Sequence, residues 1–148
     1  MSETLSVPQG FHRLNRGGPY VAALGSLYYR KSDDSRIVIA MRIEKGHTNM
    51  RGIAHGGMLA TLADCALSIG MSLACDSKQS FVTANLTTDF VDAAYPGDWV
   101  EGPVDIQRVG KRFAFANCFL HVGERRILRA SGVFAVMSAL NLPHLSEG

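Results

Sequence analysis

Residues 55–75 read His55-Gly56-Gly57 followed by MLATLADCALSIGMSLAC. Leu59, Leu62, Ala66, Ile69 and Leu73 recur at steps of three and four, which sets them on one side of an α-helix. The spacing predicts one long helix over 56–75. A surface helix carries charge opposite its apolar stripe. Here Asp64 is the only charged residue in the whole stretch. At about 100° per residue it shares its side with Gly57, Ala60, Thr61, Ser68 and Met71. One reading is a lone solvated aspartate on a dull exposed face. The other is a helix covered on both sides, by a sheet and by a second subunit. Helices without a charged face are usually buried, which favours the second reading. An ionised group at such a seam needs a reason to be there.

The flanks read as strands. Residues 36–43 alternate, with Ile37, Ile39, Met41 and Ile43 on one face. Residues 24–30 form a second candidate strand, preceded by a short helix within 11–27. After the long helix come four runs, 81–91, 98–109, 111–122 and 125–137, separated by Pro96-Gly97, Gly110 and Gly123. The tight links at Gly110 and Gly123 favour antiparallel hairpins, and Pro103 marks an edge or a bulge. The result is an α+β architecture: a long central helix against a curved antiparallel sheet of about five to six strands. Strand alternation sets Val82, Ala84, Leu86 and Phe90 on the apolar face of residues 81–91 and turns Thr83 and Asn85 the other way.

The chain has 148 residues, 47% of them apolar, which suits a single domain over 11–138 with flexible ends at 1–10 and 139–148. Fifteen basic against 13 acidic residues give no general pull toward nucleic acid or a membrane surface. Cys65, Cys75 and Cys118 match no zinc pattern and read as free thiols of a reducing, cytoplasmic compartment. The first ten residues lack the pattern of a secretory signal. An aspartate in the middle of 56–75 argues against a membrane span. His12, His47, His121 and His144 lack ligand spacing, so no metal and no bound cofactor is expected. Arg125, Arg126 and Arg129 read as ordinary surface.

The chemistry concentrates at Asn49, Gly52, His55, Gly56, Gly57 and Asp64. The first N–H groups of a helix lack internal partners and carry the positive dipole end. Glycines there let a ligand approach the backbone, and such a position can stabilise an oxyanion. Taken alone, the two glycines read better as a simple turn into the helix. Asp64 lies eight residues beyond Gly56, about 12 Å along a helix. One carbonyl cannot touch both groups of one chain. If both act on one substrate, they come from two subunits facing each other across a two-fold axis.

The run N-x-x-G-x-x-H-G-G at 49–57, with an aspartate on the following helix, resembles the PaaI-like hotdog-fold acyl-CoA thioesterases. The resemblance extends through FVTANLTTDF (81–90), the Pro96-Gly97-Asp98 turn and the RVGKRF hairpin (108–113), to the closing SGVFAVM (131–137). It implies hydrolysis of an acyl-CoA thioester. Asp64 would be general base or nucleophile, and the Gly56 N–H would polarise the carbonyl. His55 and Asn49 would position carbonyl and water, and Thr83 would hydrogen-bond the water or the carboxylate. Asn49, His55 and Gly56 would come from the neighbouring subunit of a homodimer, itself expected to pair into a homotetramer. Asn85 and Phe90 join the substrate-binding set. Arg108, Gly110, Lys111 and Arg112 would face the nucleotide end of coenzyme A, although each cation also fits a solvated turn. Met58, Leu62, Phe81 and Phe90 would line the acyl pocket. Two rivals stay open: a hotdog dehydratase or hydratase on acyl thioesters, and a non-catalytic acyl-CoA sensor.

Overall fold

A computed structural model describes residues 6–140. The flexible ends expected at 1–5 and 141–148, with His144, lie outside the described residues. Strand β1 (His12–Leu14) is followed by helix α1 (Gly18–Leu24), β2 (Leu27–Lys31), β3 (Ile37–Arg42), a 3-10 turn (Lys45–His47) and helix α2 (Gly56–Ala74). Then come β4 (Gln79–Phe90), β5 (Trp99–Val109), β6 (Phe113–Val122) and β7 (Arg125–Ser138). All pairings are antiparallel, in the order β1-β2-β3-β5-β6-β7-β4. Among the described residues the sheet therefore has seven strands rather than five or six. The addition is β1, three residues long and too short to show a period of two. The hairpins at Gly110 and Gly123 form as expected.

Helix α2 crosses one face of this sheet, and ten of its 19 residues are buried. It is long and apolar enough to cross a membrane by length and composition, but its apolar side is spent on the core. Close approach depends on small residues. A Cβ at Gly70 would lie 2.9 Å from Val104 Cγ1, and one at Gly102 would lie 2.7 Å from Leu120 Cδ2 and 3.1 Å from Ala66 Cβ. Leu59, Leu62 and Ala66 pack against Ile39, Met41, Val100, Leu120, Leu128 and Phe134 in one apolar cluster. Met58 and Leu62 belong to that cluster, with 6% and 1% exposure.

Two expectations about the strands are corrected. Pro103 lies within β5, an inner strand between β3 and β6, and the bulge of β5 falls at Gln107 instead. Strand β4 carries its own bulge: Thr83 pairs with Phe134 and Asn85 with Val133, which leaves Ala84 unmatched. The even-numbered residues of β7 from Leu128 to Phe134 face the helix and are buried. By register, Phe81 and Thr83 face the helix ahead of the bulge, and Leu86, Thr88 and Phe90 do so after it. Val82, expected inside, is 55% exposed, and Thr83 points toward α2.

Candidate active site

Asp64 sits in the middle of α2, half-buried, with its carboxylate turned toward β4. The Thr83 hydroxyl donates to Asp64 Oδ1 at 2.5 Å. The bulge at Ala84 makes this contact possible, because it lets Thr83 share the helix-facing side with Leu86. Among the described residues no group donates to Oδ2, which leaves that oxygen open for water or substrate. A cleft of about 480 Å³ opens there, lined by Tyr20, Thr61, Asp64, Ser68, Thr83 and Leu86 among others. Thr61 and Ser68 donate their hydroxyl protons back to the helix carbonyls of Gly57 and Asp64, at 3.0 and 2.9 Å. They therefore offer only acceptor lone pairs to the cleft. Cys65 borders it as well. Burial, and then the Asp64 charge, push its thiol up to about 12, so it is not a nucleophile at neutral pH.

The start of α2 carries a second cleft, of about 300 Å³, lined by Asn49, Gly56, Leu59, Phe90, Val91 and Asp92 among others. His55 is the N-cap, with extended backbone (φ −63°, ψ 135°) and Nδ1 accepting from Gly57 N–H at 2.9 Å. That bond leaves the proton on Nε2, at the exposed end of the ring. Gly56 N–H enters none of the hydrogen bonds of the described residues. The Phe90 ring lies over Gly56, where a Cβ would fall 3.3 Å from it. Asn49 Oδ1 accepts from Arg51 N–H at 2.9 Å, and the Gly52 N–H closes on the Asn49 carbonyl at 2.9 Å with Gly52 at φ +77°. The turn thereby fixes Asn49 and leaves its amide NH₂ as a donor.

The structure thus groups Asp64 with Thr83, and Asn49 with Gly56 and Phe90, in two separate clefts. Asn85 points to the opposite face of β4 by register and lines neither. Arg108, Lys111 and Arg112 are exposed at the β5–β6 hairpin and line neither cleft of their own chain. Gly110 donates to the Phe113 carbonyl at 2.8 Å and shapes that hairpin. His47 is structural: it is 4% exposed, accepts from Glu44 N–H at 2.9 Å and donates to the Leu24 carbonyl at 2.6 Å. Among the described residues no three His, Cys, Asp or Glu side chains gather as a metal site.

Arg125 is more than the surface residue expected from its sequence. It donates to the Ala93 carbonyl at 2.5 Å and pairs with Asp92 (3.2 Å) and Asp98 (3.6 Å). It therefore clamps the loop whose Val91, Asp92 and Ala93 wall the Gly56 cleft. The Ala93 N–H, and then Arg125, hold the Asp92 carboxyl below its usual range. Sequence reasoning also missed Tyr20. Its signal was the glycine-bounded segment 17–25, which reads only as a turn-rich stretch.

A long helix lying on one antiparallel sheet, with its carboxylate midway and its glycine-opened start at the other cleft, defines the hotdog class. The family model described as "Thioesterase superfamily" matches residues 51–128. A Pseudomonas aeruginosa protein named "Putative esterase PA0474" is 42% identical over 130 residues, which cover 88% of this chain and 97% of that protein. The human protein named acyl-coenzyme A thioesterase 13 is 24% identical over 117 residues, covering 78% and 82%. In fold, the chain is similar to the Bacillus halodurans protein BH2602, solved with CoA. The TM-score is 0.72 at 22% identity, covering 85% of this chain and 83% of that one. The chain belongs to the thioesterase superfamily, as a hotdog enzyme of the PaaI-like type.

Proposed function

We propose that the protein hydrolyses acyl-CoA thioesters to a free carboxylate and coenzyme A, at sites shared between two subunits. The observation that carries this reading is the split of the polar machinery. Asp64 and Thr83 hold one cleft, and the unpaired Gly56 N–H with Asn49 holds another. Both clefts reach β4, through Thr83 and Leu86 in one and Phe90 in the other. Among the described residues β4 is a sheet edge with β7 as its one neighbour, and it contains neither Lys nor Pro to discourage further pairing. A two-fold axis beside that edge would bring the first cleft of one chain against the second cleft of the other.

In such a shared site the Gly56 N–H would donate to the developing oxyanion, helped by the dipole of α2. Asp64 would take a proton from a water that attacks the carbonyl, or attack the carbonyl itself to form an acyl anhydride that water then hydrolyses, with Thr83 fixing its Oδ1. As the carbon–oxygen bond forms, the carbon–sulfur bond breaks. The thiolate leaves without a dedicated general acid, because a thiol pKa lies near 8.5. His55 Nε2–H and the Asn49 amide would hold the carbonyl and the water. Arg108, Lys111 and Arg112, with the Gly110 turn, would meet the coenzyme A phosphates, and Asn85 would complete the substrate contacts from across the seam. The three free cysteines fit a reducing, cytoplasmic setting. The shared-site reading is favoured over a proton-transfer dehydratase because the His55 ring spends Nδ1 on capping α2.

The test is release of free thiol from a panel of acyl-CoAs, run on wild type, Asp64→Asn, Gly56→Pro and a co-refolded mixture of the two variants. A shared site predicts two inactive variants and a mixture regaining about a quarter of wild-type activity, since half the dimers are mixed and each has one intact site. A mixture as inactive as its parts overturns the shared site. Thiol release unchanged in Asp64→Asn overturns the role of Asp64.

A further inference from the structure

Helix α1 is short, yet the segments on either side of it are tied to opposite ends of α2. Ahead of it, Arg16 Nη2 donates to Ser77 Oγ at 3.0 Å, just beyond the C-terminus of α2. Behind it, the Leu24 carbonyl accepts from His47 Nε2, and the His47 carbonyl accepts from the His55 N–H at the start of α2 (2.8 Å). The segment therefore runs antiparallel to α2 along the side that carries Asp64. Gly17 makes its entry turn at φ +102°, where a Cβ would lie 2.7 Å from Val21 Cβ. Val21 is the buried anchor of α1. Tyr20, one position earlier, takes no part in that anchoring. It is 68% exposed, yet it lines the cleft that holds Asp64, Thr83, Ser68, Ile69 and Leu86.

This inference rests on the reading of Asp64 as the group acting at the thioester carbonyl. The acyl group must then enter the cleft of Asp64, since its chain is bonded to the reacting carbon. Two walls of that cleft, α2 and β4, are fixed by the core. The third is α1, and Tyr20 is its one large side chain facing the space. We propose that Tyr20 is a specificity-determining residue whose ring stops the acyl chain and sets the longest acyl group handled efficiently. Tyr20 touches the acyl chain and not the reacting atoms. Each methylene buried is worth roughly fourfold in affinity, and a blocking ring forfeits that factor for every methylene beyond it.

The experiment measures kcat and KM for straight-chain acyl-CoAs from acetyl to palmitoyl, with wild type, Tyr20→Ala, Tyr20→Phe and Tyr20→Trp. Tyr20→Ala moves the optimum to longer chains, with a gain of about tenfold on the first chain that wild type handles poorly, mainly through KM. Tyr20→Phe keeps the wild-type profile because the ring, not the hydroxyl, is the stop, and Tyr20→Trp moves the optimum to shorter chains. If Tyr20→Ala fails to fold, as read by circular dichroism, Tyr20→Trp decides alone. Active variants whose profiles superimpose on wild type overturn the role of Tyr20 and leave the proposed function standing. A wild type that hydrolyses neither this panel nor an aromatic acyl-CoA overturns both, and one active on the aromatic substrate alone overturns the role of Tyr20.

Discussion

The two clefts of one chain are unlike in a complementary way. The Asp64 cleft holds a carboxylate already gripped by a hydroxyl. The Gly56 cleft holds an unspent N–H and an amide donor; its one carboxylate, Asp92, is engaged by Arg125. One helix supplies both, about 12 Å apart. Under the proposed function, the difference makes α2 a spacer between two incomplete pieces of machinery. Its dry outer side, odd for a surface helix, becomes intelligible once each piece has a counterpart to meet.

Substitutions can break or sharpen that contrast. The largest effect is expected at Asp64→Asn, with a fall in kcat of about 10²- to 10⁴-fold and an unchanged circular dichroism spectrum, measured by thiol release. Gly56→Pro tests the other cleft. Proline suits the first position of a helix, and His55 already has the extended backbone that a following proline requires. The variant keeps α2 but loses the N–H, and kcat should drop by about 10²- to 10³-fold. Thr83→Ala should lower kcat by about tenfold while Thr83→Ser retains most activity, because the hydroxyl and not the methyl meets Asp64.

A fourth prediction separates core from cleft. Burial raises the Cys65 and Cys118 thiols from 9.0 to about 12. Between those values the unfolded chain loses protons that the folded chain keeps, so stability present below pH 9 falls as pH rises. Each thiol contributes a loss of about 1.4 kcal/mol per pH unit, and urea unfolding of Cys118→Ala against wild type from neutral to alkaline pH measures it. The smallest effect is expected at Arg129→Ala. Its pairing with Asp89 (2.7 Å) lies on the exposed face away from both clefts and should be worth less than about 1 kcal/mol in the same assay.

Some of this organisation was legible in the residues. Helix α2 showed itself through a period sustained over five turns and the absence of any second charge. The hairpins showed through their glycines, and the Asp64–Gly56 separation followed from helix rise alone. Strand β4 was misread because alternation assumes an unbroken pleat. Residues Val82 to Phe90 look like one apolar face, whereas the unmatched Ala84 changes sides midway. Sequence cannot say which apolar residues the sheet will cover, so the near-complete burial of Met58 and Leu62 leaves no local trace. The partner of Arg125 lies 32 residues away, and the contacts of α1 depend on ties to Ser77 and His47, so neither leaves a local trace.

The unmatched Ala84 makes parity a property of the enzyme. Removing that one residue would restore an even count along the edge strand. Either the threonine would then swing off the aspartate, or leucine, threonine and phenylalanine farther along would turn out to water. Loops elsewhere can lengthen or shorten cheaply, but on this strand a shift of one is a shift of everything downstream. An insertion–deletion scan across residues 79–90 should show intolerance to odd changes in length, centred on the position with no partner opposite it.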